Sequence, residues 1–257
     1  MTFTVENLEV YLAIAMRISG FVFVAPFFSL RDVPQKVKLL LSFAIALIAY
    51  FVIPYESLEY EGVIGYAGII ISEALAGIIL GLFANLAMYI LSFAGQLADM
   101  EIGFSMVMQM DPSNGMQVTI TSNILTYAVT LVMIVTNLHL YILKAIIDSF
   151  VLVPLGNVTF SPLFYQGYLT FILDYMVLGF RIILPVFAAL LMVNAILAVL
   201  AKAAPQMNMF VIGFQLKIFV GLAVLLLMMK FLPSISELIF EEMITMMKTA
   251  AAYLSAP

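Results

Sequence analysis

Residues 64–93 read IGYAGIIISEALAGIILGLFANLAMYILSF, 30 positions with a single charge at Glu73. At about 1.5 Å per residue this is roughly 45 Å of helix, against a hydrocarbon core near 30 Å. The run is too apolar for water and too long for a simple perpendicular span. The rest of the chain repeats the pattern. Apolar runs cover 8–28, interrupted by Arg17, and 37–53, ended by Pro54. Residues 168–200 overshoot again, with Pro185 placed where a kink is expected, whereas 118–138 and 211–232 have ordinary spanning length. The tail from Pro233 sets Glu237, Glu241 and Glu242 beside Met243, Met246 and Met247 and reads as an amphipathic helix over 233–257.

Composition agrees. Of 257 residues, 65% are hydrophobic and 10% charged, against roughly 45–50% and about 25% in ordinary soluble domains. Some 120 positions would serve six spans of about 20 residues, leaving the remainder to over-long helices, loops and tails, with no room for a separate soluble domain. Absence of cysteine excludes disulfides, thiolate nucleophiles and cysteine-held metals. The net charge is −5 and the ten cations stand singly, so the clustered Lys/Arg footprint of a nucleic-acid binder is missing. Glu6 and Glu9, and no cation, precede the first apolar run, so that run is expected to be retained as a helix and not cleaved as a signal peptide. Lys36 and Lys38 with Arg31 make the one short basic loop, expected on the cytoplasmic side. Past residue 94 the charge bias gives no consistent topology, as expected of a chain packed against other protein as much as against lipid.

Arg17, Glu73 and Arg181 stand inside apolar segments, where a charge facing lipid costs about 2.5–3.5 kcal/mol. Each needs a partner: Glu73 could meet Arg17 or Arg181, or the charges could meet polar groups of a neighbouring subunit. A proton relay is a poor alternative, because arginine does not release its proton. Gly77 and Gly81, flanked by Ala74 and Ala76, form a GxxxG spacing that lets another helix approach closely.

Between the third and fourth runs, 95–117 reads GQLADMEIGFSMVMQMDPSNGMQ and holds five of the 18 methionines. Asp111-Pro112-Ser113-Asn114-Gly115 is turn chemistry, while Phe104 to Met110 is apolar apart from Ser105 and Gln109. Non-helical backbone at membrane depth survives only where protein or a water-filled cavity satisfies its amides, so this loop is expected inside something. Methionine is deformable enough to fill an irregular core or to form a seal that later yields; composition leaves both open.

No catalytic constellation is present. Neither an H-E-x-x-H nor a G-x-S-x-G string occurs; Asp99 and Glu101 fall on different faces if helical; and His139 ends an apolar run as a polar terminus. No enzyme activity, metal or cofactor is expected.

Several strings together resemble the FliR family, the flagellar biosynthetic proteins of the type III export gate. They are Ala25-Pro26-Phe27-Phe28 with Val33-Pro34 and Lys36-Val37-Lys38-Leu39; Ala94-Gly95 through Gly103-Phe104-Ser105 to Asp111-Pro112; Asn137 with His139; Val153-Pro154-Leu155-Gly156; and above all Ala204-Pro205-Gln206-Met207-Asn208-Met209-Phe210-Val211-Ile212-Gly213-Phe214. Leu138 departs from the pattern, where the family has glycine in an Asn-Gly-His turn.

The resemblance implies an all-α membrane protein, a single domain over 1–257, whose long kinked helices and helical hairpins join a helical assembly with FliP and FliQ around a central channel. FlhB and FlhA lie nearby, unfolded flagellar subunits are the cargo, and the site is the flagellar basal body in the bacterial inner membrane. An injectisome protein of the same superfamily is the alternative; a self-contained solute transporter using Glu73, Arg181 and Asn194 is a more distant one. The resemblance also implies that the loop is a channel plug, with Gly103, Phe104, Ser105, Met106, Val107, Met108, Gln109, Met110, Asp111 and Pro112 at its core. Each buried apolar side chain there would contribute about 1.5–3 kcal/mol to a closed state.

Overall fold

The computed structural model describes residues 5–30, 33–55, 58–104, 119–161 and 164–255. Among these the chain is helical, with no strand: α1 (Val5–Val24), α2 (Gln35–Val52), α3 (Gly62–Ile102), α4 (Ile120–Val135), α5 (Leu138–Leu152), α6 (Phe164–Ala203), α7 (Met209–Met228) and α8 (Leu232–Leu254), the last two joined by a 3₁₀ turn, Met229–Phe231. Five segments are long and apolar enough to cross a membrane, and the bent α4–α5 pair makes up to six. The molecule is an all-α membrane protein.

Two expectations need correction. The third helix does not stop at residue 93 but runs for 41 residues to Ile102, about 60 Å, so 95–102 is helix and not loop. One glycine in a helix costs only about 1 kcal/mol, and the missing side chain of Gly95 lets α3 lie against the backbone of Ser122. The span expected over 118–138 is broken at Thr136-Asn137, where Asn137 takes the left-handed conformation at φ 60, which asparagine tolerates. Leu138 begins α5, so the position that demands left-handed backbone is 137 and no glycine is required after it. The sixth helix reaches Ala203 with Pro185 inside it.

The chain divides into two compact units. One comprises Met1–Ala87, Thr136–Ile172 and Phe240–Pro257; the other comprises Met88–Val135 and Leu173–Ile239. In the first unit α1 buries Val10, Ala13, Ile14, Ile18, Phe21 and Val22, a stripe at helical spacing. In the first unit's part of α8 the buried positions Met243, Met246, Met247, Ala250 and Leu254 share one face, while Glu241 is exposed. The carbonyls of Tyr253 and Leu254 accept hydrogen bonds from the Ser161 and Thr159 amides.

In the second unit α7 is apolar apart from Gln215 and Lys217, and only Gly213, Gly221 and Met228 of its 20 residues are buried. Such a helix is stable only where lipid or other protein covers it.

Candidate functional site

The first unit holds the one ion pair among the described residues. Arg17 on α1 donates from Nε and Nη2 to the two carboxylate oxygens of Glu73 on α3, at 2.5 and 3.0 Å, with both side chains fully buried. Its remaining nitrogen, Nη1, donates to the Val153 carbonyl at 2.9 Å and weakly to that of Ser149 at 3.5 Å. The Gly156 amide donates to Glu73 Oε1 at 2.9 Å, and the guanidinium carbon lies 4.1 Å from the Phe150 ring centroid, within cation–π range. Of the two arginines open to Glu73, Arg17 is the one it meets. Arg181, read as buried, is instead exposed on α6. The end of α5 and the Val153-Pro154-Leu155-Gly156 turn complete this cluster; they had no signal beyond the family string.

The small residues explain how α1 and α3 come close enough for the pair. A side chain added at Gly77 would run into the Arg17 carbonyl, and one at Gly81 would sit 2.9 Å from the Phe21 carbonyl. From the other helix, Gly20 faces the Ala74 carbonyl, 2.5 Å from where its Cβ would stand. The GxxxG neighbour is thus α1 of the same chain.

The second unit carries the two feet of the methionine-rich segment. Gly103 closes α3 at φ +100, a conformation that favours glycine, with its amide bonded to the Asp99 carbonyl at 3.0 Å and the Phe214 ring 3.2 Å from where a Cβ would lie. Phe104 is the last described residue on this side. Ser105, Met106, Val107, Met108, Gln109, Met110, Asp111 and Pro112 lie outside the described residues. On the far side Thr121, the second residue of α4, gives its amide to Asp99 Oδ2 at 3.0 Å and its hydroxyl to Oδ1. Asp99 and Thr121 are both buried. One helical turn earlier on α3, Gly95 faces the Ser122 backbone.

Sequence pattern offers Asp99 only as half of a carboxylate pair with Glu101 and does not show its bond to Thr121. The available signal was a lone acid in an apolar stretch with a threonine heading the next run.

The Ala204-to-Phe214 string forms the α6–α7 connection. Ala204, Pro205, Gln206 and Asn208 lie in a turn closed by a hydrogen bond from the Met207 amide to the Ala204 carbonyl at 3.1 Å. The Asn208 side chain caps α7 by accepting from the Val211 amide at 3.5 Å. Gly213 lets Leu197 pack against the helix, 3.1 Å from the absent Cβ. A cleft of about 360 Å³ opens here, lined by Glu101, Gly103, Asn194, Phe210, Phe214 and Lys217, so the family string and the α3 foot share one surface. His139 is the second residue of α5, and its Nδ1 is buried without a hydrogen-bond partner among the described residues. Among the described residues no group of acids and histidines could hold a metal ion.

Comparison with known proteins gives one consistent family. The model of "Bacterial export proteins, family 1" matches residues 8–243. The flagellar biosynthetic protein FliR of Pectobacterium carotovorum is 29% identical over 248 residues, covering 94% of this chain and 92% of that one. FliR of Bacillus subtilis is 28% identical with 98% of each covered, and FliR of Escherichia coli 26% identical with 93% and 92% covered. With nearly the whole chain matched, from the α1 arginine through the α3 foot to the α6–α7 turn, this protein belongs to the FliR family of bacterial export proteins.

Proposed function

We propose that the chain is a non-enzymatic core subunit of the flagellar type III protein export gate. It assembles with FliP and FliQ in the inner membrane at the flagellar basal body, near FlhB and FlhA, as one functional domain. Its segment 103–117 plugs the channel through which unfolded flagellar proteins pass. One observation carries the reading: an apolar, methionine-rich stretch that a membrane would not tolerate as a free loop springs from two feet held in direct hydrogen-bond contact, Asp99 and Thr121. The apolar girth of α7 supports a chain built to be covered by lipid and neighbours.

The relatives quoted are all flagellar proteins, which favours the flagellar over the injectisome reading. A solute path through Glu73 is disfavoured, since Arg17 and Gly156 already occupy both its oxygens. The test is deletion of 103–117 in the assembled complex, with ion conductance in planar bilayers as readout. Raised leakage is expected; unchanged conductance with intact assembly refutes the plug. Failure of FliP and FliQ to co-purify with the intact chain refutes the assembly.

A further inference from the structure

We propose that Asp99 is the positioning residue of the plug: its carboxylate clamps the two feet of the 103–117 segment together through Thr121, and so sets where that segment is presented. The inference rests on the plug reading above.

The clamp has three unusual features. Asp99 is an acid with 0% exposure in an apolar setting and no cation within ion-pair distance, since the one ion pair among the described residues is Arg17–Glu73. Burying a carboxylate is costly unless it is hydrogen-bonded, and here both donors among the described residues, the amide and the hydroxyl, come from one residue 22 positions further on. The acid is therefore satisfied only while the returning chain is in place.

The second feature concerns the start of α4. The amide of Thr121 is one of the donors left free at a helix N-terminus. Such donors are ordinarily met by the residue just before the helix. That residue is Thr119, whose carbonyl accepts from the Asn123 amide at 3.1 Å, yet its hydroxyl is buried with no partner. The local cap is not made, and a cap from the opposite foot replaces it, where the helix dipole favours negative charge.

Thirdly, Gly95 lies one turn before Asp99 on the same face of α3. A Cβ there would stand 2.4 Å from the Ser122 amide nitrogen, so the bare backbone at 95 is what brings the carboxylate within reach.

A cap that served stability alone would leave the channel tight when removed, provided the complex assembled. The test uses the assembled complex in planar bilayers, comparing Asp99→Leu, Asp99→Asn, Thr121→Val and Thr121→Ser with the 103–117 deletion, and recording assembly for each. Asp99→Leu, which removes both hydrogen bonds, is expected to raise leakage at least about tenfold toward the deletion level, since loss of even one charge-assisted hydrogen bond gives a population change of that size. Asp99→Asn, which keeps an acceptor for the Thr121 amide, should leak at least about threefold less than Asp99→Leu. Thr121→Ser should leak less than Thr121→Val.

A tight Asp99→Leu complex beside a leaking deletion overturns the clamp and leaves the plug standing. A tight deletion overturns the plug and the clamp with it. Equal leakage from Asp99→Leu and Asp99→Asn overturns the hydrogen-bond geometry. If Asp99→Leu fails to assemble, the threonine pair decides: equal leakage from Thr121→Val and Thr121→Ser counts against the clamp, and leakage confined to Thr121→Val supports it.

Discussion

Replacing Glu73 by leucine strips Arg17 of two hydrogen bonds, at 2.5 and 3.0 Å, and leaves a guanidinium buried with the Val153 carbonyl, the weaker Ser149 carbonyl and the Phe150 face beside it. Each bond to a charged group is worth about 1.5–3 kcal/mol, and removing one member of a buried pair typically costs about 3–5 kcal/mol because the other charge stays uncompensated. Glu73→Leu and Arg17→Leu should therefore each lose about 3–5 kcal/mol. The double variant removes both charges and strands only neutral groups, the Gly156 amide and the Val153 carbonyl, at about 1–3 kcal/mol each. It should be no less stable than either single variant, giving a coupling energy of about 3 kcal/mol or more. Equilibrium unfolding of the purified protein in mixed micelles, run as a double-mutant cycle, measures this. Single losses below about 1 kcal/mol, or a double variant equal to the sum of the singles within about 0.5 kcal/mol, would refute the reasoning.

Gly77→Ala places a methyl against the Arg17 carbonyl and should destabilise by about 1–3 kcal/mol. Gly68→Ala, in the same helix with nothing within 4 Å, should be neutral or stabilise by up to about 1 kcal/mol; thermal melts of the two compare them directly. Leu138→Gly, although it restores the family's glycine, should destabilise by about 1 kcal/mol, because position 138 is helical. Asn137→Gly should be tolerated, since residue 137 holds φ 60, and the same unfolding assay reads both.

What could be read in advance followed from local chemistry. Runs of apolar residues set the kind of structure but not the number of helices, since the run over 118–138 breaks at Asn137 and a separate α5 follows it, and a charge inside such a run announces that it needs a partner. The choice of Arg17 over Arg181 was not readable, because it depends on how closely α1 meets α3, which Gly20, Gly77 and Gly81 settle only in three dimensions. Helix ends were misjudged for a related reason. Gly95 looks like punctuation until Ser122 is seen against it, and Asn137 looks incidental until its backbone angle is known. In the Ala204-to-Phe214 turn the string was recognisable while its mechanics, a cap by Asn208 and a contact for Leu197, required the fold.

The Arg17 cluster also imposes an order on synthesis. Glu73 follows Arg17 by 56 residues, and Val153 follows Arg17 by 136, so at about 5–20 residues per second the arginine waits roughly 3–11 s for its acid and longer for its carbonyl. During that interval the first helix carries an uncompensated cation that bilayer insertion disfavours by about 2.5–3.5 kcal/mol. Its release from the translocon is therefore expected to lag until the third helix emerges, and slowing translation between codons 17 and 73 should lengthen that dwell.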